Sequence, residues 1–362
     1  MAIKVQDILL QNEFSGTDLS VLLNSTGTDK EQIFKHAARI KEQFVGQKVY
    51  FRGLIELTNR CGKNCYYCGI RAGNKGIERY MVSEEEVTEA ARYAYEHRFG
   101  SIVMQSGERT DKKYINTVTR LIRKIKEVSN GELGITLSMG EQTRDTYKQW
   151  FNAGANRYLL RIETSNRELY YKLHPDNKKH DYDHRLKSLH LLRELGFNVG
   201  TGVMIGLPFQ TFDDLANDLQ FFKDWDIDMV GMGPYIEHEH TPLYKFKDVL
   251  LPLQERFELS LLMVALLRIT MKDINIAATT AMQTIDSNGR EKALKAGANI
   301  IMPNITPVKY REGYLLYKNK PGLKENSDET MKKLENEILS AGCQLGYGEW
   351  GDSKHFTNRS KL

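Results

Sequence analysis

Residues 49–68 read VYFRGLIELTNRCGKNCYYC, an apolar run from Val49 to Leu57 that leads directly into Cys61, Cys65 and Cys68. The run has the composition of a buried strand, and it delivers three thiols within eight residues of loop. Moving outward, the same pattern recurs: a short apolar or β-branched run, then a longer charged amphipathic stretch. Further runs are Ser101–Gln105, Gly134–Met139, Arg157–Glu163, Asn198–Leu207, Asp228–Tyr235, Ile274–Met282 and Asn299–Pro303. Helical candidates between them include Ser83–Arg98 and Lys112–Val128; Ser83 and Glu86 have capping-box spacing, with acids gathered in the first turn. Gly154-Ala155, Gly196-Phe197 and Gly297-Ala298 place a glycine where a helix should stop and a strand begin. Eight strand–helix alternations over about 250 residues match an α/β fold of the (β/α)8 barrel type. A doubly wound open sheet is the alternative, because alternation does not determine closure. The expected organisation is an N-terminal helical cap over 1–48, a barrel over 49–310 and an extension over 311–362 that closes it. Within the extension, Asn326–Leu345 reads as a closing helix, and the tail from Gly346 either packs loosely or covers one barrel end.

The chain has 362 residues, 41% hydrophobic and 27% charged, which excludes disordered and fibrous classes. Its net charge, 51 − 47 = +4, is too small to demand nucleic acid or an anionic membrane as partner. No apolar run reaches membrane-spanning length, and the start, MAIKVQDILLQNEF, lacks the features of a signal peptide. With Cys343 the cysteines number four, three of them clustered, a pattern that points to a reducing compartment, the cytoplasm, and an inorganic ligand. Three converging thiolates leave one iron of a [4Fe–4S] cluster without a protein ligand, free to bind a substrate or cofactor and pass it one electron. Zinc would want a fourth ligand nearby, whereas His97 and Cys343 are distant. A simple electron carrier would want four thiolates. His238 and His240 suggest either a metal ligand pair or a solvated loop.

The CxxxCxxC spacing, the aromatic Tyr67 before the last cysteine and the position after a first barrel strand resemble the radical S-adenosylmethionine superfamily. The resemblance implies one [4Fe–4S] cluster on Cys61, Cys65 and Cys68, with S-adenosylmethionine on its open iron. It implies that Gln105, Ser106, Gly107 and Glu108 hold the cofactor's amino group and that Glu163 holds its ribose. It assigns the carboxylate to Arg185, and the adenine to the backbone of Tyr67 and the Gly202–Pro208 run containing Met204. Glu163 and Arg185 are open to a plainer reading, as a salt bridge.

Longer motifs, among them RYLLRIETSN, GLPFQT, DMVGMGP, AATTAM and GANIIMPNITPVKYR, look like the HydE family of [FeFe]-hydrogenase maturases. Methylornithine synthase and biotin synthase are related families; the strands here carry no cysteine for a sulfur-donating second cluster. The resemblance implies an organometallic substrate, an Fe(CO)2(CN)–cysteine unit, supplied by a partner maturase, and a reducing electron donor. Substrate contacts would fall on Thr136, Ser138, Arg157, Met229, Thr279, Thr280, Met302, Tyr310 and Tyr314. The methionines serve equally as barrel filling. Adjacent Thr279 and Thr280 would point to opposite sides of a strand, and Tyr310 and Tyr314, four apart, could be a packing pair on a helix. Two departures stand out: Cys343 alone cannot carry the second cluster found in some relatives, and His174 stands where relatives often place Arg. A partly charged His174 would leave more of the carboxylate contact to Arg185. The competing functions are an amino-acid mutase of the methylornithine type and a non-catalytic iron–sulfur scaffold.

Overall fold

The computed structural model describes residues 4–325 and 327–360. Its centre is a ring of eight parallel strands: β1 Lys48–Thr58, β2 Ser101–Ser106, β3 Gly134–Ser138, β4 Arg157–Leu159, β5 Asn198–Thr201, β6 Met229–Val230, β7 Asn275–Ile276 and β8 Ile300–Ile301. Pairing runs β8-β1-β2-β3-β4-β5-β6-β7. The ring closes where Asn299 N–H donates to the Ile276 carbonyl and Ala278 N–H to that of Ile300, each at 2.9 Å. It is a barrel, not an open sheet. Short outer segments, Met204–Ile205 and Gly233–Pro234, extend β5 and β6 and pair with each other.

Alternation along the strands divides core from lumen. Ile102, Met104, Ile135 and Leu137 join the core beneath the outer helices, while Val103 and Thr136 face the barrel interior. The outer helices are α4 Glu84–Glu96, α5 Lys112–Val128, α6 Arg144–Ala153, α8 Tyr182–Glu194, α9 Phe212–Asp224, α10 Leu253–Thr270 and α12 Gly289–Ala296; the shorter α7 Arg167–Leu173 and α11 Thr280–Ile285 sit in loops. α4 begins with the expected capping box, Ser83 and Glu86 exchanging bonds of 3.2 Å. α5 buries Tyr114, Val118, Leu121, Ile122 and Ile125, one apolar stripe facing the sheet. The N-terminal helices α1 Val5–Leu9, α2 Gly16–Leu23 and α3 Gly27–Phe44 lie along this outer layer, α2 on α9 and α3 on α10 and α12.

Three expectations need correction. The run Ile274–Met282 is a strand only over Asn275–Ile276, because from Thr280 the chain turns helical. Thr279 and Thr280 therefore stand at a helix start, where strand alternation does not apply. The closing helix, α14, covers Ser327–Ser340 (Asn326 lies outside the described residues) and is followed by a strand, β9 Gln344–Gly346, beside the start of β1. Helix α13 covers only Val308–Arg311, so Tyr310 and Tyr314 share no helix face.

The tail covers the foot of the barrel. Arg157, fully buried, donates through Nε to Asp352 at 2.8 Å and through Nη2 to the Trp350 carbonyl at 2.8 Å. Arg52 and Asn275 both bond the Gly351 carbonyl, at 3.2 and 2.8 Å. Helix α15, Lys354–Arg359, completes the seal. Cys343 is buried at this end, 3.2 Å from the Lys41 ammonium, at the opposite end of β1 from the cysteine loop.

Candidate active site

Four loops at the C-terminal ends of β1 to β4 meet on the open face of the barrel, where barrel enzymes carry their chemistry. β1 releases the chain into the cysteine loop, which is fastened at several points. Gly62 N–H donates to the Glu108 carbonyl at 2.8 Å and Tyr66 N–H to the Leu173 carbonyl at 2.9 Å. Asn64 N–H donates to His180 Nε2 at 2.9 Å. Gly107 passes so close beneath the loop that a Cβ there would lie 2.5 Å from the Arg60 carbonyl oxygen and 2.8 Å from Cys61 Cβ. Only glycine fits. Its neighbour Glu108 donates its N–H to Cys61 Sγ at 3.3 Å, and Lys63 N–H does the same at 3.4 Å.

The three thiols are free. Burial raises all three above an ordinary thiol, Cys65 to about 12 and Cys68 well above the usual thiol value. Desolvation disfavours the thiolates, and a cationic iron centre is what reverses that penalty. Among the described residues no three His, Cys, Asp or Glu side chains surround a single ion. The donor set suits a group with several irons, each taking one sulfur.

A charged network that sequence reading missed braces the loop from outside. Lys63, inside the cysteine motif, reaches Glu141 at 2.8 Å and Glu108 at 3.3 Å. Glu141 also takes Arg185 Nε at 2.7 Å, while Arg185 Nη1 donates to the Arg161 carbonyl at 2.7 Å. Burial works against ionising Glu141, but Arg185 and Lys63 hold it below the usual carboxylate range. Glu108 is raised by burial, with Lys63 opposing. Lys63 announced itself only by lying between cysteines; nothing local marks Glu141.

Glu163 adopts a left-handed φ of 67° at the end of the fourth strand and bridges to Val203. Its Oε2 lies 3.1 Å from Arg161 Nη2 but out of line for a hydrogen bond, and both Glu163 Oε2 and Arg161 Nε are buried without a hydrogen-bond partner. Buried polar atoms left open in this way fit a ligand with hydroxyl or carboxylate groups. Glu163 and Arg185 do not pair with each other; each lies at ion-pair distance from another residue, Glu163 from Arg161 and Arg185 from Glu141. Gln105 and Met204 are half-buried at the ends of their strands, and the Ser106 hydroxyl is bonded to Tyr114.

His174 is fully buried. Its Nδ1 bonds the Tyr170 carbonyl at 2.9 Å and its Nε2 faces the Tyr67 hydroxyl at 3.3 Å. Burial drives its pKa well below 6.5, so it is neutral rather than partly charged. His238 is buried against Gly69, not solvated, while His240 is exposed.

The expected substrate residues disperse. Thr136, Met229 and Met302 line one cavity of about 30 Å3 with Arg52, room for about one water. Thr280 and Met302 line a second of similar size beside Lys320, which forms an ion pair with Glu56. Ser138 ends β3 at the level of Gln105. Thr279 bonds the Met232 carbonyl at 3.2 Å. Arg157 is spent on the tail below. Tyr310 stacks on Tyr80 and bonds Glu86 at 2.7 Å, while Tyr314 is buried under Lys320.

The family model for the radical SAM superfamily matches residues 55–222, the half-barrel that carries these loops. The [FeFe] hydrogenase maturase subunit HydE of Thermotoga maritima is 45% identical over 324 residues, covering 90% of this chain and 89% of its own. The 3-methylornithine synthase of Methanosarcina acetivorans is 28% identical and covers 84% of this chain and 83% of its own. The crystal structure of methylornithine synthase (PylB) superposes with a TM-score of 0.80 at 23% identity, over 99% of this chain and all of that one, and shows the shared fold. The chain belongs to the radical SAM superfamily and, within it, to the HydE family of [FeFe] hydrogenase maturases.

Proposed function

We propose that this radical SAM enzyme opens S-adenosylmethionine on a single [4Fe–4S] cluster and acts on an Fe(CO)2(CN)–cysteine precursor during assembly of the hydrogenase H-cluster. The observation that carries the reading is the 45% identity to HydE over nine tenths of the chain. Cys61, Cys65 and Cys68 hold the cluster. A cluster bound there would supply the one electron that reductive opening of the cofactor's sulfonium consumes.

The chain's own residues bind and orient. The backbone around Gln105, Ser106, Gly107 and Glu108 takes the cofactor's ammonium, and Glu163 Oε2 takes the ribose hydroxyls. Arg185 takes the carboxylate from the position in which Glu141 and the Arg161 carbonyl hold it; Tyr67 and Met204 flank the adenine. The substrate enters from the same open face, since the tail covers the foot. Thr136, Ser138, Met229, Thr279, Thr280, Met302 and Tyr314 form its surroundings, and Arg157 and Tyr310 act through packing. With openings of about 30 Å3 at Met229 and Met302, substrate binding requires these flexible side chains to move. A partner maturase delivers the precursor.

The test is an anaerobic assay with S-adenosylmethionine and dithionite, with and without the Fe(CO)2(CN)–cysteine complex. Deoxyadenosine formation stimulated by the complex supports the reading. Cleavage indifferent to it, but stimulated by an amino acid, favours the mutase chemistry of the methylornithine synthases. A protein with a full cluster that cleaves no cofactor is a scaffold.

A further inference from the structure

Of the three loop cysteines, Cys61 lines an open pocket of about 550 Å3 on the barrel rim, and Cys65 and Cys68 do not. The pocket wall carries acids and bases, but the acids are already paired. Glu141 and Glu108 face Lys63 at 2.8 and 3.3 Å, and Asp111 faces Arg109 at 2.7 Å. Three bases are left over. Arg60, Lys178 and Lys179 are exposed and form no ion pair among the described residues. Lys178 and Lys179 sit on a short 3-10 turn, Lys178–His180. That turn is tied to the cysteine loop by the His180–Asn64 bond of 2.9 Å and by Lys63 donating to the Lys179 carbonyl. On a chain whose formal charge is only +4, three unpaired cations beside one cysteine are a concentrated positive field.

We propose that the Cys61 pocket is the docking surface for an acidic one-electron carrier protein, oriented by Arg60, Lys178 and Lys179. The inference rests on the cluster proposed above and names the partner of that same site. Each cofactor molecule opened consumes one electron, which must arrive from outside. Electron transfer falls off steeply with distance, so the carrier gains by docking at the pocket that a cluster-holding cysteine lines. At the contact the reduced carrier loses one electron and the cluster gains one; no bond is made or broken. Complementary charge raises the encounter rate and sets the orientation, and added salt weakens it.

A second groove also borders the loop, lined by Tyr66, Lys172, Phe209, Leu243, Lys245 and Phe246. It offers no cysteine. Its lysines lie over aromatic rings, Lys172 over Phe209 at 5.2 Å and Lys245 over Phe246 at 4.8 Å. That groove supplies the control.

The experiment compares wild type, Lys178→Glu/Lys179→Glu and Lys172→Glu/Lys245→Glu, all reconstituted with iron and sulfide. The probe is flavodoxin, an acidic flavoprotein. Its affinity is read by fluorescence anisotropy at low and high salt, and cluster reduction is followed by bleaching with reduced flavodoxin or with dithionite. The expected result is flavodoxin binding weakened about tenfold in the first variant, with bleaching by flavodoxin slowed to match. Dithionite bleaching and iron content should stay as in wild type, and the second variant should behave as wild type. Unchanged binding in the first variant overturns the proposal, as does a loss confined to the second. Slower bleaching with dithionite as well means that the lysines support the cluster rather than a carrier. If the reconstituted protein holds no reducible cluster, the function proposed above fails on its own, while anisotropy still decides whether these lysines bind flavodoxin.

Discussion

Tyr67 of the cysteine loop and the buried His174 form a polar contact. A cation at position 174 would sit in a fully buried site already close to Arg185. The neutral imidazole instead stacks on Tyr170 with ring centres 4.0 Å apart and shares a hydrogen bond with the Tyr67 hydroxyl. Tyr67→Phe removes that hydroxyl and leaves His174 Nε2 buried without a partner, an expected cost of about 1–3 kcal/mol. His174→Phe in the same background should recover part of it, because the stack survives and no polar atom is stranded. Urea denaturation of the three variants checks this; equal stability of Tyr67→Phe and wild type would mean that the contact contributes nothing. The loop cysteines respond differently: replacing Cys61, Cys65 or Cys68 with Ala should lower bound iron and abolish cofactor cleavage without unfolding the barrel. Circular dichroism alongside an iron assay separates those outcomes.

Among the elements, the C-terminal tail holds the foot. Asp352→Ala leaves the buried Arg157 guanidinium without its carboxylate, an expected loss of about 3 kcal/mol in thermal or urea unfolding. That is near the lower end for a buried pair, since the Asp352 side chain is 31% exposed. Helix α15 adds a pH-dependent tie. His355 stands between Asp273 at 3.0 Å and Asp226 at 2.5 Å, and the hydrogen bond to Asp273, reinforced by Asp226 and opposed by burial, raises its pKa from 6.5 to about 9. A histidine raised in the folded state stabilises fully below its unfolded pKa, and that contribution disappears as pH rises through the folded value. Release of α15, followed by limited proteolysis, should therefore increase between about pH 6.5 and 9, and His355→Gln should flatten the rise. The sequence announced those elements whose signals are local. α5 spans Lys112–Val128 as its periodicity implies, and the capping box at Ser83 begins α4. Where tertiary closure decides, the reading failed: Ile274–Met282 has strand composition, but two paired residues suffice to complete the ring, after which Thr279 starts a helix.

At the scale of the molecule, the tail covers one end of the barrel and the other carries the cysteine loop, and the four cysteines follow that division. The spacing of Cys61, Cys65 and Cys68 was legible because a multi-iron centre imposes it on a contiguous loop. The bracing by Glu141, Arg185 and Arg161 was not, because it is assembled from the loops after β3 and β4 and from helix α8. Cys343 sits at the sealed end, buried against Lys41, and no other cysteine stands in the sequence to join it. The function proposed above therefore expects one cluster per chain, with about four irons. Anaerobic reconstitution should give that stoichiometry in wild type and in Cys343→Ser alike. Loading should also raise the thermal midpoint, because a ligand that binds only the folded loop stabilises it by mass action, and a chelator should reverse the gain. A count near eight irons, or a count that falls in Cys343→Ser, would show that a second site exists and that the foot of the barrel takes part in metal binding.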